Sequence, residues 1–281
     1  MRSALITIST VTALLSGACS SADSPSGRSN PSGFSHIHAM GVDSDGVLYA
    51  GTHYGVYRLA GERDPELVGD LVQDFMGFIV VGPNHFLGSG HPGADSRDAP
   101  PNLGLIESTD GGQTWHTLSM TGEADFHSLD YRHGLLFGLD SGTRSVMVTA
   151  DKKTWDRRAE ISAVDIAVSP TDPNGVLATT GTGMLRSVDQ AKTFTPVVGT
   201  PPLILLSWPD EGPLIGVTPT GMVYASQDSG ATWQAQRDLG ERPQAVLAAG
   251  RGLVFVATEK GIHRSTDSAT TFETFYTFDA P

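Results

Sequence analysis

The chain has one cysteine in 281 residues, so no disulfide can form within it. Lys and Arg are few, 18 against 31 Asp and Glu. The formal net charge of −13 excludes the basic surface that phosphate backbones require, so no nucleic-acid partner is expected. A small cation is electrostatically easier to hold. Helix-forming residues are also sparse. What is plentiful is punctuation, 33 Gly and 17 Pro between short alternating apolar runs, which suits many short strands joined by turns. Hydrophobic residues at 39 % suffice for a core.

The one long apolar run opens the chain, in "MRSALITISTVTALLSGACSS". Arg2 is followed by an apolar stretch from Ala4 to Leu15 and then by small residues before Cys19. The run is too short and wrongly flanked for a membrane span, and reads as a secretory signal over residues 1–18. "LLSGAC" resembles the lipobox of bacterial lipoproteins, which implies that Cys19 is acylated and becomes the first residue of the mature chain. In the lipobox the Leu stands three residues before the Cys; here Leu15 stands four before, with Ser16 in its place. Residues 19–33 are rich in Ser, Pro and Gly and read as a flexible tether, leaving 34–281 as the globular part. The expectation is an extracytoplasmic monomer held to the membrane by its lipid anchor alone.

A repeat organises the globular part. "STDGGQTW" begins at residue 108 and recurs as "SVDQAKTF" at 187, "SQDSGATW" at 226 and "STDSATTF" at 265, with a shortened copy, "TADKKTW", at 149. The copies stand 38 to 41 residues apart. The pattern resembles the Asp-box, or BNR repeat, of sialidase-like β-propellers. That resemblance implies a structural role for Ser108, Asp110 and Trp115, for Asp151 and Trp155, and for Ser187, Asp189 and Phe194. It implies the same for Ser226, Asp228 and Trp233 and for Ser265, Asp267 and Phe272. The Asp would accept backbone N–H groups within a hairpin joining the two outer strands of a blade, and the aromatic ring would pack between sheets. Three short strands precede each box, as in "NGVLATTGTGMLRSVD" and "GLVFVATEKGIHRSTD", and a boxless first unit, "HIHAMGV" to "PELVGDL", keeps the frame. The count is six units of about 41 residues, the size of a four-stranded blade. An all-β, six-bladed β-propeller is expected. The first and last units each supply all four strands, and strand exchange between the ends stays open.

In a propeller the first strands of the blades line the axis. Aligning "SHIHAMGV", "QDFMGFIV" and "ADFHSLDY" sets His38, Met76 and His127 at equivalent positions, with His36, Asp74 and Asp125 two residues earlier on the same face. The later blades place Val164, Leu203 or Ile204, and Ala245 there. His53 and His91 end the second strands of blades one and two, opposite Asp140, Thr180, Thr218 and Glu259 of the later blades. His36, His38, His53, Met76, His91 and His127 are therefore candidate metal ligands at one mouth of the channel. Imidazoles with a thioether suit copper, and two His with carboxylates suit zinc or another divalent ion. The remaining histidines, His85, His116, His133 and His263, read as surface residues. The long insertion "GSGHPGADSRDAPPNLG" in blade two is placed beside the mouth.

Two other functions stay open. The family resemblance implies a glycoside hydrolase, for which Asp74 and Asp125 are candidate acids acting on a glycan. The Phe/Tyr-Arg-Ile-Pro motif of sialidases is absent, however, and Arg58, Arg186 and Arg264 run into the box position, which suits blade packing. The chain is also similar to photosystem-assembly-factor and sortilin-like propellers, which implies an interaction scaffold. The partner is thus a metal ion, another small ligand or a glycan.

Overall fold

The computed structural model describes residues 34–61, 64–94, 96 and 99–278. The signal at 1–18, the tether at 19–33 and Cys19 lie outside the described residues. Those described form no helix, only six four-stranded antiparallel sheets, each built from four consecutive strands. Their first strands are Ile37–Val42, Asp74–Gly82, Phe126–Arg132, Ala163–Val168, Leu205–Ser207 and Pro243–Gly250. Each lies against the first strands of both neighbours, and the sixth lies against the first. The result is a closed six-bladed propeller.

Among the described residues no strand is exchanged at the seam. The ends meet instead through side chains, with Phe34 packed at 5.1 Å from Tyr57 of blade one and 5.4 Å from Tyr276 of blade six. Gln244 Oε1 of blade six accepts the Ile37 N–H at 2.9 Å. The core follows from strand alternation: one face of every sheet meets the next, so apolar residues gather in six clusters, one per blade interface. Phe75, Phe78 and Phe86 fill the first interface, and Leu87, Phe126 and Leu136 the second.

The boxes behave as local devices. Ser108 Oγ donates to Asp110 Oδ1 at 2.8 Å and accepts the Gly112 N–H at 2.8 Å. Asp110 also accepts the Thr114 N–H and hydroxyl, at 2.9 and 2.6 Å. The same bonds recur around Asp189, Asp228 and Asp267. Bonds from the box threonines come first among the causes that hold all four carboxyls down to about 2. Two successive residues take positive φ in each full box, and they need not be glycine. Ala191 (φ 65°) and Ala269 (φ 70°) occupy the position of Gly112, because the site is fully buried and demands smallness above all. The shortened copy closes with a single such residue, Lys152 (φ 61°). Trp115 packs 4.8 Å from Phe75, as an interface plug.

Three histidines read as surface residues take fixed partners, and two cationic side chains add bonds between blades. His133 Nε2 donates to the Ser169 carbonyl at 2.8 Å, and Arg186 reaches the Ser229 carbonyl of the next blade's box at 2.6 Å. His85 and Lys152 share Glu107 across blades two and three, at 2.7 and 2.6 Å. His263 donates to Glu241 at 3.0 Å.

Candidate metal centre at the channel mouth

The first strands surround a channel of about 1030 Å³. Five of the six first strands carry a β-bulge near their start, where two residues face one on the second strand, and blade five has an equivalent pairing just ahead of its strand. The extra residues are His38, Met76, His127, Val164 and Gln244, and Ile204 with Leu205 faces Val217 in blade five. A bulge re-aims the side chain it carries, and here His38, Met76, His127, Val164 and Gln244 all line the channel. The sequence alignment of His38, Met76 and His127 therefore stands, while its blade-six member shifts from Ala245 to Gln244. Thr180 corresponds to Thr52 rather than His53, since both hydroxyls bond a glycine carbonyl three residues on.

In antiparallel sheets the second strand ends where the first begins. His36, His38, His53, Asp74, His91, Asp125 and His127 accordingly share one rim, but they form two knots. The first joins His36, His38 and His53 of blade one, whose ring centroids lie 4.5 to 4.9 Å apart. His36 takes left-handed φ (52°), a conformation strained for a residue with a Cβ. That twist and the bulge at His38, rather than simple alternation, bring both rings to His53.

Asp74 of blade two completes this knot. His38 Nε2 and His53 Nδ1 lie 3.3 Å apart, and Asp74 Oδ1 lies 3.0 Å from the latter and 3.7 Å from the former. Although so close, Asp74 Oδ1 is buried and makes no hydrogen bond. The His53 nitrogen has one in-plane site and cannot serve both neighbours at once. A tetrahedral ion with bonds of about 2.0–2.1 Å spaces its donors by about 3.3–3.4 Å, and the three separations bracket that edge. Burial first, then His36 and His53, hold the His38 imidazole down to about 4. Burial and His53 lower His36 as well. At neutral pH both rings offer lone pairs, the state a metal requires.

The second knot joins His91, Asp125 and His127. Asp125 Oδ2 accepts from His127 Nε2 at 2.7 Å and from Ser141 Oγ at 2.6 Å, with His91 Nε2 at 3.7 Å. Burial raises this carboxyl, but the bonds from His127 and Ser141 outweigh it and hold it below the usual range. His91 reaches its place because Gly90 (φ 146°) lets the second strand close on the bulge; a Cβ there would stand 2.0 Å from the Asp74 carbonyl. The blade-two insertion folds back on His91, with Leu103 N–H bonded to the Gly90 carbonyl and Pro101 O 3.0 Å from His91 Nδ1. Met76 lines the channel on the strand between the two knots.

Asp74, a candidate glycan-directed acid from the sequence, sets its Oδ1 beside His38 and His53 of the neighbouring blade, a crossing that the strand alignment does not reveal. The deeper wall of the channel is polar but satisfied. Asp165 accepts Leu206 N–H, Ile166 N–H and Ser128 Oγ–H at 2.8 to 2.9 Å, and Asp130 accepts Val168 N–H at 2.8 Å. At the far mouth Arg132 of blade three bonds Asp210 and the Trp208 carbonyl of blade five.

Comparison with known proteins places the architecture and nothing finer. No family model matches the chain, and no curated protein matches it. Among solved structures it is similar to the GH74 enzyme of Niastella koreensis, at 14% identity and TM-score 0.61 over 86% of this chain and 45% of that one. The GH74 xyloglucanase of Xanthomonas campestris matches at 13% identity and TM-score 0.56, over 86% of this chain and 45% of that one. A chain of a nidogen/laminin complex matches at 12% identity and TM-score 0.61, over 82% of this chain and 92% of that one. The protein thus spans less than half the length of the hydrolases it matches.

Proposed function

We propose that this propeller binds a transition metal at its channel mouth through His36, His38, His53 and Asp74. The observation that carries the reading is the triangle of His38 Nε2, His53 Nδ1 and Asp74 Oδ1, with edges of 3.3, 3.0 and 3.7 Å around an otherwise unpartnered carboxylate oxygen. Neutral imidazoles with one carboxylate suit a divalent ion, zinc or copper(II), better than the cuprous ion that a thioether-rich set would select. Met76 lines the same channel and would add a soft donor for copper if it reached the ion. Acylation at Cys19, as the lipobox resemblance implies, would hold this site at the outer face of a bacterial membrane.

A glycoside hydrolase draws support from the fold likeness to GH74 enzymes and from the Asp-box resemblance, but the carboxylates do not favour it. A general acid needs a raised pKa, whereas Asp125 is held low by His127 and Ser141. An interaction scaffold draws only on propellers such as that of the nidogen/laminin complex.

The test is competition between the metal-free, tag-free protein and a chromophoric chelator for Zn(II) and Cu(II). The wild type should withdraw metal, and His38→Ala/His53→Ala should lose the tight component. A wild type that withdraws none from a chelator of micromolar affinity would end the reading.

A further inference from the structure

We propose that the same rim carries a second metal site, formed by His91, Asp125 and His127, that loads independently of the blade-one site. This extends the reading above, sharing its rim but none of its donors. One nitrogen or oxygen from each of the three residues lies within 4.8 Å of the others. Asp125 is 7% exposed, and its Oδ1 has no hydrogen-bond partner. A buried charged oxygen without a donor is expensive to maintain, which points to a cation that the site is shaped to receive.

His91 is set for the same task, and His127, which bonds Asp125 through Nε2, would ligate with its proton moved to Nδ1. A carbonyl only accepts, so the 3.0 Å contact with Pro101 O places the proton of His91 on Nδ1. His91 Nε2 then faces Asp125 with its lone pair free. Bonding of the outer ring nitrogen to a carbonyl is the usual orientation of a metal-ligating histidine. The carboxylate is anchored too. Ser141 Oγ donates to it at 2.6 Å, and the Asp125 N–H donates to Asp140 Oδ1 at 2.9 Å.

The two sites differ in kind. The blade-one site is rich in imidazole and has the geometry of a closed tetrahedral face. The second offers two imidazoles and one carboxylate at the channel edge, a set that leaves a fourth position for water or an exogenous ligand, as open divalent sites do. Its ligand class is therefore a borderline divalent ion such as zinc, held less tightly than in the first site.

The experiment is Zn(II) titration of the metal-free full chain by calorimetry, with stoichiometry checked by elemental analysis after gel filtration. Wild type should bind two equivalents. His91→Ala and, separately, Asp125→Asn should each bind one, and His38→Ala/His53→Ala should bind the other. Circular dichroism confirms the fold, and Asp125→Asn serves if His91→Ala does not fold. One equivalent that survives His91→Ala and vanishes in His38→Ala/His53→Ala would overturn the second site and leave the first. One equivalent lost in every variant would mean a single shared site and also overturn it. No binding by the wild type would remove both.

Discussion

At the bulge of the first strand, blades one to three carry His38, Met76 and His127, whereas blades four to six carry Val164, Ile204 and Gln244. The backbone is the same around the ring; the disposition of polar groups is not. In blades four to six, polar side chains of the first strands close bonds between neighbours. Asp165 reaches Leu206 N–H, Ser207 accepts Ala248 N–H at 2.8 Å, and Gln244 accepts Ile37 N–H at 2.9 Å. In blades two and three, Asp74 and Asp125 each keep a buried oxygen that nothing bonds. Stitching bonds continue into blade three through Ser128 and Asp130, whereas the unbonded carboxylate oxygens gather at the rim of blades two and three.

The sharpest way to break the comparison is a reciprocal exchange of effects. On the binding half, His38→Ala should weaken metal affinity by at least about 100-fold, beyond what removal of an outer partner usually costs. Asp74→Asn should weaken it by roughly 10–100-fold while leaving the metal-free protein as stable as before, because Asp74 Oδ1 makes no hydrogen bond there. Chelator competition and urea unfolding read the two quantities. A large stability loss in Asp74→Asn would make that carboxylate structural.

On the stitching half the pattern should invert. Asp165→Ala leaves the Leu206 N–H without its acceptor and should lower stability by about 1–3 kcal/mol, with metal affinity unchanged. Enclosure in the channel wall, outweighing the hydrogen bonds from Leu206, Ser128 and Ile166, raises the Asp165 carboxyl to about 6, and enclosure likewise raises Asp130 to about 6. Between pH 3.8 and about 6 the native state then binds more protons at these groups than the unfolded chain does. Their contribution to stability is therefore greatest at the acid end of that window and falls as pH rises through it. Urea midpoints of the metal-free protein should show this fall, reduced in Asp130→Asn/Asp165→Asn. Parallel profiles for the two proteins would show that both carboxyls titrate normally.

The smallest effect sharpens the account of strain. His36→Gly removes a Cβ from a left-handed position and should raise stability by about 1 kcal/mol while weakening metal binding. A variant that loses stability would show that His36 packs rather than ligates.

How much of this was legible in the sequence depends on the range of the interaction. The box closes through bonds spanning four residues, from Ser108 to Gly112 and from Asp110 to Thr114, so its recurrence announces the blades directly. The seam was not legible, because Phe34 meets Tyr276 and Gln244 meets Ile37 only once the ring has closed. The mouth was half legible. Alignment of the first strands puts the histidines on one rim, but strict alternation is broken by the bulge between Ile37 and Ala39 and by the twist at His36. The division into two knots depends on which carboxylate lies beside which ring. Asp74 crosses from blade two to the histidines of blade one, and Asp125 turns to His127 two residues along its own strand.

The central claim is that His36, His38, His53 and Asp74 surround one metal ion. Anomalous diffraction from crystals of the metal-free protein soaked in a zinc salt, with data on both sides of the zinc edge, tests it most directly. A peak about 2.0–2.1 Å from nitrogens of His38 and His53 and within bonding reach of Asp74 is the predicted result. Full diffraction with no peak at that triangle, while its side chains stay ordered in place, would contradict it.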